Sequence, residues 1–133
     1  MNFNADFIDK LRKSGLRPTK QRLKICEVLF NKEKTFHFTI NDLTKIISEK
    51  ISLATVYNTV HAFKKKGYLK EISINSDKTY FDTNTSHHHH FFDTETKELT
   101  DLSNDQVEKI QINTTLPGKK ISSVEILVKV ENK

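Results

Sequence analysis

Apolar residues recur at helical spacing through the first half of the chain. Phe3, Phe7, Ile8 and Leu11 lie at i, i+4, i+5 and i+8, one face of a helix that Ser14-Gly15 ends. Pro18 cannot continue a preceding helix, and Thr19 is a good N-cap for a second one. Leu23, Cys26, Val28, Leu29 and Phe30 give that helix its apolar face through about residue 31. Thr39-Ile40-Asn41-Asp42 has the form of a capping box with Asp in place of the usual Glu, and opens a helix carrying Leu43, Ile46 and Ile47. Ser52 caps the next, whose expected buried stripe is Leu53, Val56, Val60 and Phe63. Lys64-Lys65-Lys66-Gly67 closes it with cations favoured by the helix dipole and a glycine at the C-terminus. Two strand-like runs follow, Tyr68 to Ile74 and Lys78 to Thr83, joined by a turn at Asn75-Ser76-Asp77.

Helices followed by a two-stranded hairpin predict a winged helix-turn-helix, with the helix at 52–66 as recognition helix. Its outward face is expected to present Ser52, Thr55, Asn58, Thr59 and Ala62. Short polar side chains of this kind can meet base edges and phosphates in a major groove. An ordinary solvated helix face has the same composition.

The second half predicts a smaller α/β piece. Asn84-Thr85-Ser86 reads as a hinge, and Phe91 to Asp93 and Lys97 to Leu102 as strands around Thr94-Glu95-Thr96. Ser103 is an N-cap for a short helix with Val107 and Ile110, and Pro117-Gly118 breaks the chain. From 121 to 131 the pattern alternates, with Val124, Ile126, Val128 and Val130 on one face and Glu125, Leu127, Lys129 and Glu131 on the other. The expected organisation is α+β: a winged-helix domain at 1–83, a His-rich hinge at 84–90 and a dimerisation domain at 91–133. One apolar face on so short a domain needs a covering surface, and a symmetric homodimer supplies one.

Charge sharpens the division. Residues 1–83 hold 16 Lys/Arg against 9 Asp/Glu, and residues 84–133 hold 6 against 8, so a basic part precedes a slightly acidic one. A basic N-terminal part suggests a polyanion partner. With 133 residues and 35% apolar content the chain builds a modest core that dimerisation often completes. No stretch reaches the roughly 18 apolar residues of a membrane helix. The first residues lack a basic region followed by an apolar run, so no signal peptide and a cytoplasmic location are expected. Cys26 is the sole cysteine, which excludes an internal disulfide and a Cys-x-x-Cys zinc knuckle. It sits in a helical apolar pattern, where a packing role is expected.

His87-His88-His89-His90 is the chemical centre. Neutral imidazoles ligate zinc, iron and manganese and can be axial ligands of haem. On extended backbone His87 and His89 face one way while His88 and His90 face the other, so one run can feed two sites. A solvated polar hinge is the plain alternative. No nucleophile or general base stands beside a plausible substrate pocket, so an enzyme is not expected. His61, on the recognition helix, reads as a surface or DNA-facing residue before a ligand.

Gly15-Leu16-Arg17-Pro18-Thr19-Lys20-Gln21-Arg22, followed by Ser52-Leu53-Ala54-Thr55-Val56-Tyr57-Asn58-Thr59-Val60, resembles the ferric uptake regulator family, and the resemblance covers nearly the whole chain. Within the family, the stretch from Tyr80 to Ser86 leading into the histidines and Phe91-Phe92, and the short tail from Leu116-Pro117-Gly118, resemble the iron response regulator branch. The resemblance implies an iron-responsive dimeric transcription regulator, expected as a repressor on A/T-rich operator DNA. Arg17, Thr19, Lys20, Arg22, Ser52, Thr55, Tyr57, Asn58 and Thr59 are its expected DNA contacts. Many members carry Arg where this chain has Asn58. The family's sensor site maps to His37, Asp82, His89 and Asp101, with Phe91 at a further ligand position. The second site maps to His88, His90 and Glu108, its last position falling on Val124. The structural zinc cysteines are absent, with Asp93 to Thr96 in their place, and the branch's association with haem leaves His87 to His90 as haem candidates without a cysteine-proline motif. The implied ligands are iron, manganese or zinc, or haem. A metal or haem carrier without specific DNA binding is the rival reading.

Overall fold

A computed structural model describes residues 3–47, 50–75 and 77–133, except the side chains of Phe3 and Asn4. Ser76 of the expected turn and the side chain of Phe3 lie outside this description. The chain divides into two compact units, Met1–Thr85 and Ser86–Lys133.

The first unit runs α1 (Phe3–Lys13), α2 (Lys20–Phe30), β1 (His37–Phe38), α3 (Ile40–Ile46), α4 (Leu53–Lys65), β2 (Lys70–Asn75) and β3 (Lys78–Asp82). Local chemistry places the helix ends where the sequence predicts. Thr19 Oγ1 accepts the Arg22 N–H at 3.2 Å. Thr39 and Asp42 complete a reciprocal box, each side chain accepting the other's backbone N–H at 3.1 Å. Ser52 Oγ accepts the Thr55 N–H, also at 3.1 Å. Gly67 adopts φ +82° after α4, its N–H reaching Lys64 O at 3.0 Å and that of Tyr68 reaching Phe63 O at 2.9 Å. Only a residue tolerant of left-handed backbone closes a helix in this way.

The helices bury Leu11, Ile25, Cys26, Leu29, Leu43, Val56, Val60 and Phe63 against Phe38, Leu69 and Phe81 of the sheet side. The sheet is antiparallel in the order β1-β3-β2. Two-residue β1 is too short for any periodicity and the sequence did not predict it. It matters because it makes His37 the cross-strand partner of Asp82. Beyond β1, Phe36 N–H donates to Thr83 Oγ1 at 3.0 Å and Thr83 N–H to Phe36 O at 3.2 Å, which locks this register.

Two expectations on α4 are corrected. Thr59 is 1% exposed, not outward-facing. With Val56, Val60 and Phe63 it occupies i, i+3, i+4 and i+7, so helical period turns it into the core. Leu53, expected in the buried stripe, is 55% exposed because it is the first residue of α4, one turn ahead of the packed stripe.

The second unit holds β4 (His89–Asp93), β5 (Leu99–Leu102), a single 3₁₀ turn at Asn104–Gln106 and β6 (Leu127–Val130). β4 is central, antiparallel to β5 and parallel to β6. His89 and His90 are therefore strand residues, where the sequence suggests a hinge. The helix expected after Ser103 is reduced to that 3₁₀ turn. Gln106 Oε1 accepts the Ser103 N–H at 3.0 Å, but Val107 is only half-buried and Ile110 is 44% exposed, too little apolar burial to hold a longer helix. The expected strand at 121–131 contracts to β6, with Val124, Ile126 and Val128 half-buried and Val130 exposed.

Candidate metal centre and nucleic-acid interface

Histidine and carboxylate donors collect in both units. In the first, β1–β3 pairing sets His37 Nε2 at 3.1 Å from Asp82 Oδ2. Asp82 is 1% exposed, and its Oδ1 accepts the Asn84 N–H at 2.8 Å. A carboxylate buried this deeply requires charge compensation or full hydrogen bonding.

In the second unit, antiparallel pairing of β4 with β5 makes His90 the direct partner of Asp101 and His89 the partner of Leu102. Directly paired residues share a face and successive residues alternate, so His88 and His90 reach Asp101 while His89 turns away. His88 Nε2 lies 3.2 Å and His90 Nε2 3.5 Å from Asp101 Oδ1. The ligand atoms of these three side chains all lie within 4.8 Å of one another. Here the structure differs from the sequence assignment, which paired Asp101 with His89 and put His88 and His90 in the second set. The alternation was right and the phase was off by one residue.

Proton positions reinforce the difference. His88 Nδ1 lies 2.7 Å from Ser86 O. A carbonyl can only accept, so Nδ1 carries the hydrogen and the Nε2 lone pair of the neutral ring points at the Asp101 carboxylate. Two lone pairs meeting at this distance call for a proton or a cation. A histidine oriented through its other nitrogen in this way is a prepared metal ligand. His89 has the opposite arrangement: its Nδ1 accepts the Ile126 N–H at 3.1 Å, so Nε2 carries the proton of the neutral ring.

The second expected set is rearranged accordingly. His87, His89, Glu108 and Val124, with Asn104 and Val107, line a cavity of about 370 Å³. His87 and His89 take the places the sequence gave to His88 and His90. Val124 lines the cavity and offers no donor. The residues at the structural zinc positions do not suit that ion. Asp93 Oδ1 accepts the N–H groups of Glu95 and Thr96 at 2.8 and 3.1 Å, and those bonds hold its carboxyl below the usual range. The turn is closed by hydrogen bonds, with Lys97 at φ +65°. Cys26 is fully buried in the first unit, its thiol pushed up to about 12 by desolvation, which makes it a packing residue.

On the nucleic-acid side, Tyr57 is 52% exposed, and Asn58 and Ser52 are also exposed on α4. Thr55 is half-buried and its hydroxyl accepts from Ser52 at 2.9 Å, so this pair caps the helix as well as facing outward. Arg17, Thr19 and Lys20 are exposed, and half-buried Arg22 donates through Nη1 to Arg17 O at 3.4 Å. Lys20 and Lys24, one turn apart on α2, line a shallow depression with Lys50. The sequence reading passed over Lys24 and Lys50, although i, i+4 spacing marks the first. Among the described residues no helix is long and apolar enough to cross a membrane.

Comparison with known proteins gives a consistent set. The model of the ferric uptake regulator family matches residues 13–129. The ferric uptake regulation protein of Yersinia pestis is 35% identical over 105 residues, covering 76% of this chain and 70% of that protein. The peroxide-responsive repressor PerR of Staphylococcus epidermidis is 32% identical over 107 residues, covering 78% and 70%. Among solved structures, the ferric uptake regulator from Pseudomonas aeruginosa with manganese superposes with a TM-score of 0.71 at 25% identity, covering 94% of this chain and 96% of that one.

Proposed function

Because the chain belongs to the ferric uptake regulator family, whose members are transcription regulators and not enzymes, we propose that it is a metal-responsive repressor that binds A/T-rich operator DNA as a homodimer in the cytoplasm. The observation that carries the metal reading is the orientation of His88: its hydrogen-bonded Nδ1 turns an Nε2 lone pair toward Asp101. His37 and Asp82 supply a matching imidazole–carboxylate pair in the other unit.

In the second unit, a divalent ion at His88, His90 and Asp101 would supply positive charge beside the Asp101 carboxylate and the Nε2 atoms that approach it. Two imidazoles with a carboxylate suit iron, manganese or zinc. By linkage, an ion held more tightly by the DNA-bound form raises the affinity for DNA. Iron is the proposed physiological ion, as the resemblance to the iron response regulator branch implies; that finer placement rests on the Tyr80–Ser86 stretch leading into the histidines and Phe91-Phe92. Haem ranks below the divalent ion, because His88 and His90 face a carboxylate, a poor haem ligand. The second set is weaker still: His87 and Glu108 line the cavity, the His89 Nδ1 lone pair is taken by the Ile126 N–H, and Val124 stands where a further ligand would be.

The DNA side rests on the basic excess of the first part and the exposed Tyr57, Asn58, Ser52 and Thr55 of α4. Arg17, Lys20 and Arg22 are proposed phosphate or minor-groove contacts, and Thr19 caps the helix that carries two of them. Thr59 leaves the proposed contact set because it is buried. The homodimer reading rests on the half-covered β6 face and on Ile112 and Leu116, which are 51% and 71% exposed.

The deciding experiment measures operator affinity of the apo, manganese-loaded and haem-loaded protein, with bound metal quantified. Tighter binding with manganese, lost in Asp101→Ala, is the expected result. Equal affinity in all three states overturns the metal-responsive reading, and a response to haem alone moves the sensor to the haem version.

A further inference from the structure

His61 is a half-buried titratable residue that neither the metal sets nor the list of DNA contacts uses. It lies one turn after Tyr57 on α4, and their ring centroids are 4.2 Å apart with planes tilted by 45°. On its other side the His61 ring meets Phe81 edge-on, at 5.7 Å and 86°. Phe81 is 1% exposed and stacks on Phe38, itself buried, at 5.8 Å. A continuous line of rings therefore runs from the core of the first unit through His61 to the exposed Tyr57.

We infer that His61 is a positioning residue for DNA recognition, holding the Tyr57 ring in the pose in which it meets the bases. The inference rests on the reading of α4 as recognition helix. An exposed tyrosine on a helix samples several rotamers, and ordering them on docking subtracts from affinity. A side chain at i+4 lies beside it on the same helix face. An aliphatic group there would touch Tyr57 but carry no preferred ring angle. A flat aromatic ring restricts both the position and the tilt of its neighbour, since aromatic pairs favour offset or tilted geometry. Phe81 in turn fixes the imidazole, so the restriction is anchored in the sheet and not in another mobile surface group. The effect belongs to base discrimination: phosphate contacts of Arg17, Lys20 and Arg22 do not pass through this line of rings.

The test uses the manganese-loaded protein and a duplex selected by the wild-type protein from a randomised pool, with a random duplex as comparison. His61→Ala should reduce the ratio of selected to random affinity roughly tenfold, within the range one good base contact controls. The slope of log affinity against log salt should not change, because no phosphate contact is lost. His61→Phe should restore the ratio, since it keeps a ring at the same place. The double variant Tyr57→Ala/His61→Ala should be no worse than Tyr57→Ala, the signature of a residue acting through its neighbour. A purely structural role would lower both affinities together and leave the ratio intact. Should His61→Ala not fold, His61→Gln replaces it, with the same expected loss. An unchanged ratio in either variant, or additive losses in the double variant, overturns the inference. A wild-type protein that selects no preferred duplex overturns the DNA reading itself, and the inference with it.

Discussion

The two units of the chain solve the problem of burial in different ways. In the first, twelve apolar side chains form one buried cluster, from Leu11 on α1 to Phe81 on β3, each at most 6% exposed. In the second, the buried set among the described residues is Phe92, Leu102 and three histidines, while Ile110, Ile112, Leu116, Ile121 and Val130 remain 36–71% exposed. A winged helix of this size closes an apolar core on itself. The smaller unit has little apolar surface facing inward, and much of its described interior consists of imidazoles that must be hydrogen-bonded. The difference leads us to expect that the stability of the first unit is intrinsic, whereas that of the second responds to what binds it.

The sharpest way to break this comparison is to attack the sealed core. Phe63→Ala should cost about 3–5 kcal/mol by lost transfer energy and a cavity, read by urea denaturation with and without manganese. A loss under about 1 kcal/mol would mean that the first unit does not depend on its own packing.

The metal comes next. Saturating manganese should stabilise the wild-type protein by about 2.7 kcal/mol at a hundredfold excess over the dissociation constant. His88→Ala and Asp101→Ala should each abolish that gain, while His89→Ala should retain most of it, because the His89 Nδ1 lone pair is already used by Ile126. Calorimetric melting of the four proteins checks the order. If His89→Ala loses the gain and His88→Ala keeps it, the one-residue shift in phase is refuted.

A smaller effect is expected from the exposed apolar residues of the second unit. Leu116→Ser should change the monomer's stability by less than about 0.5 kcal/mol, as surface substitutions do. It should nevertheless weaken self-association, seen as a lower weight-average mass in sedimentation equilibrium. An unchanged mass at every concentration would remove Leu116 from the dimer surface.

The smallest effect concerns Asp93. Its carboxyl is held below the ordinary value by the N–H groups of Thr96 and Glu95. A depressed folded value stabilises above the unfolded value of about 3.9 and is lost as pH falls through the folded one. Asp93→Ala should therefore remove a small stabilisation at neutral pH and flatten the acid end of the profile, the two proteins converging below about pH 4. A destabilisation that is constant from pH 3 to 7 would show that the turn does not depend on the ionised carboxylate.

Most of the first unit is legible in the sequence. Thr19, Thr39-Asp42, Ser52 and Gly67 mark helix ends by hydrogen bonds that span three to five residues, so local spacing suffices to find them. Thr59 and Leu53 escaped because a single polar or apolar residue at the edge of a stripe does not reveal which way its helix is rolled or where the packing stops. In the second unit the alternation of the four histidines follows from extended backbone alone. Which pair faces Asp101 does not: it depends on the register between β4 and β5, and a shift of one residue exchanges every side chain between the two faces. β1, two residues long, was likewise invisible, yet it alone sets His37 against Asp82. The sequence by itself thus determined the elements, their caps, the charge division and the inventory of donors, all of which are properties of neighbours along the chain. Tertiary structure decided which donors meet, because strand register and helix roll are set by packing between residues far apart in sequence.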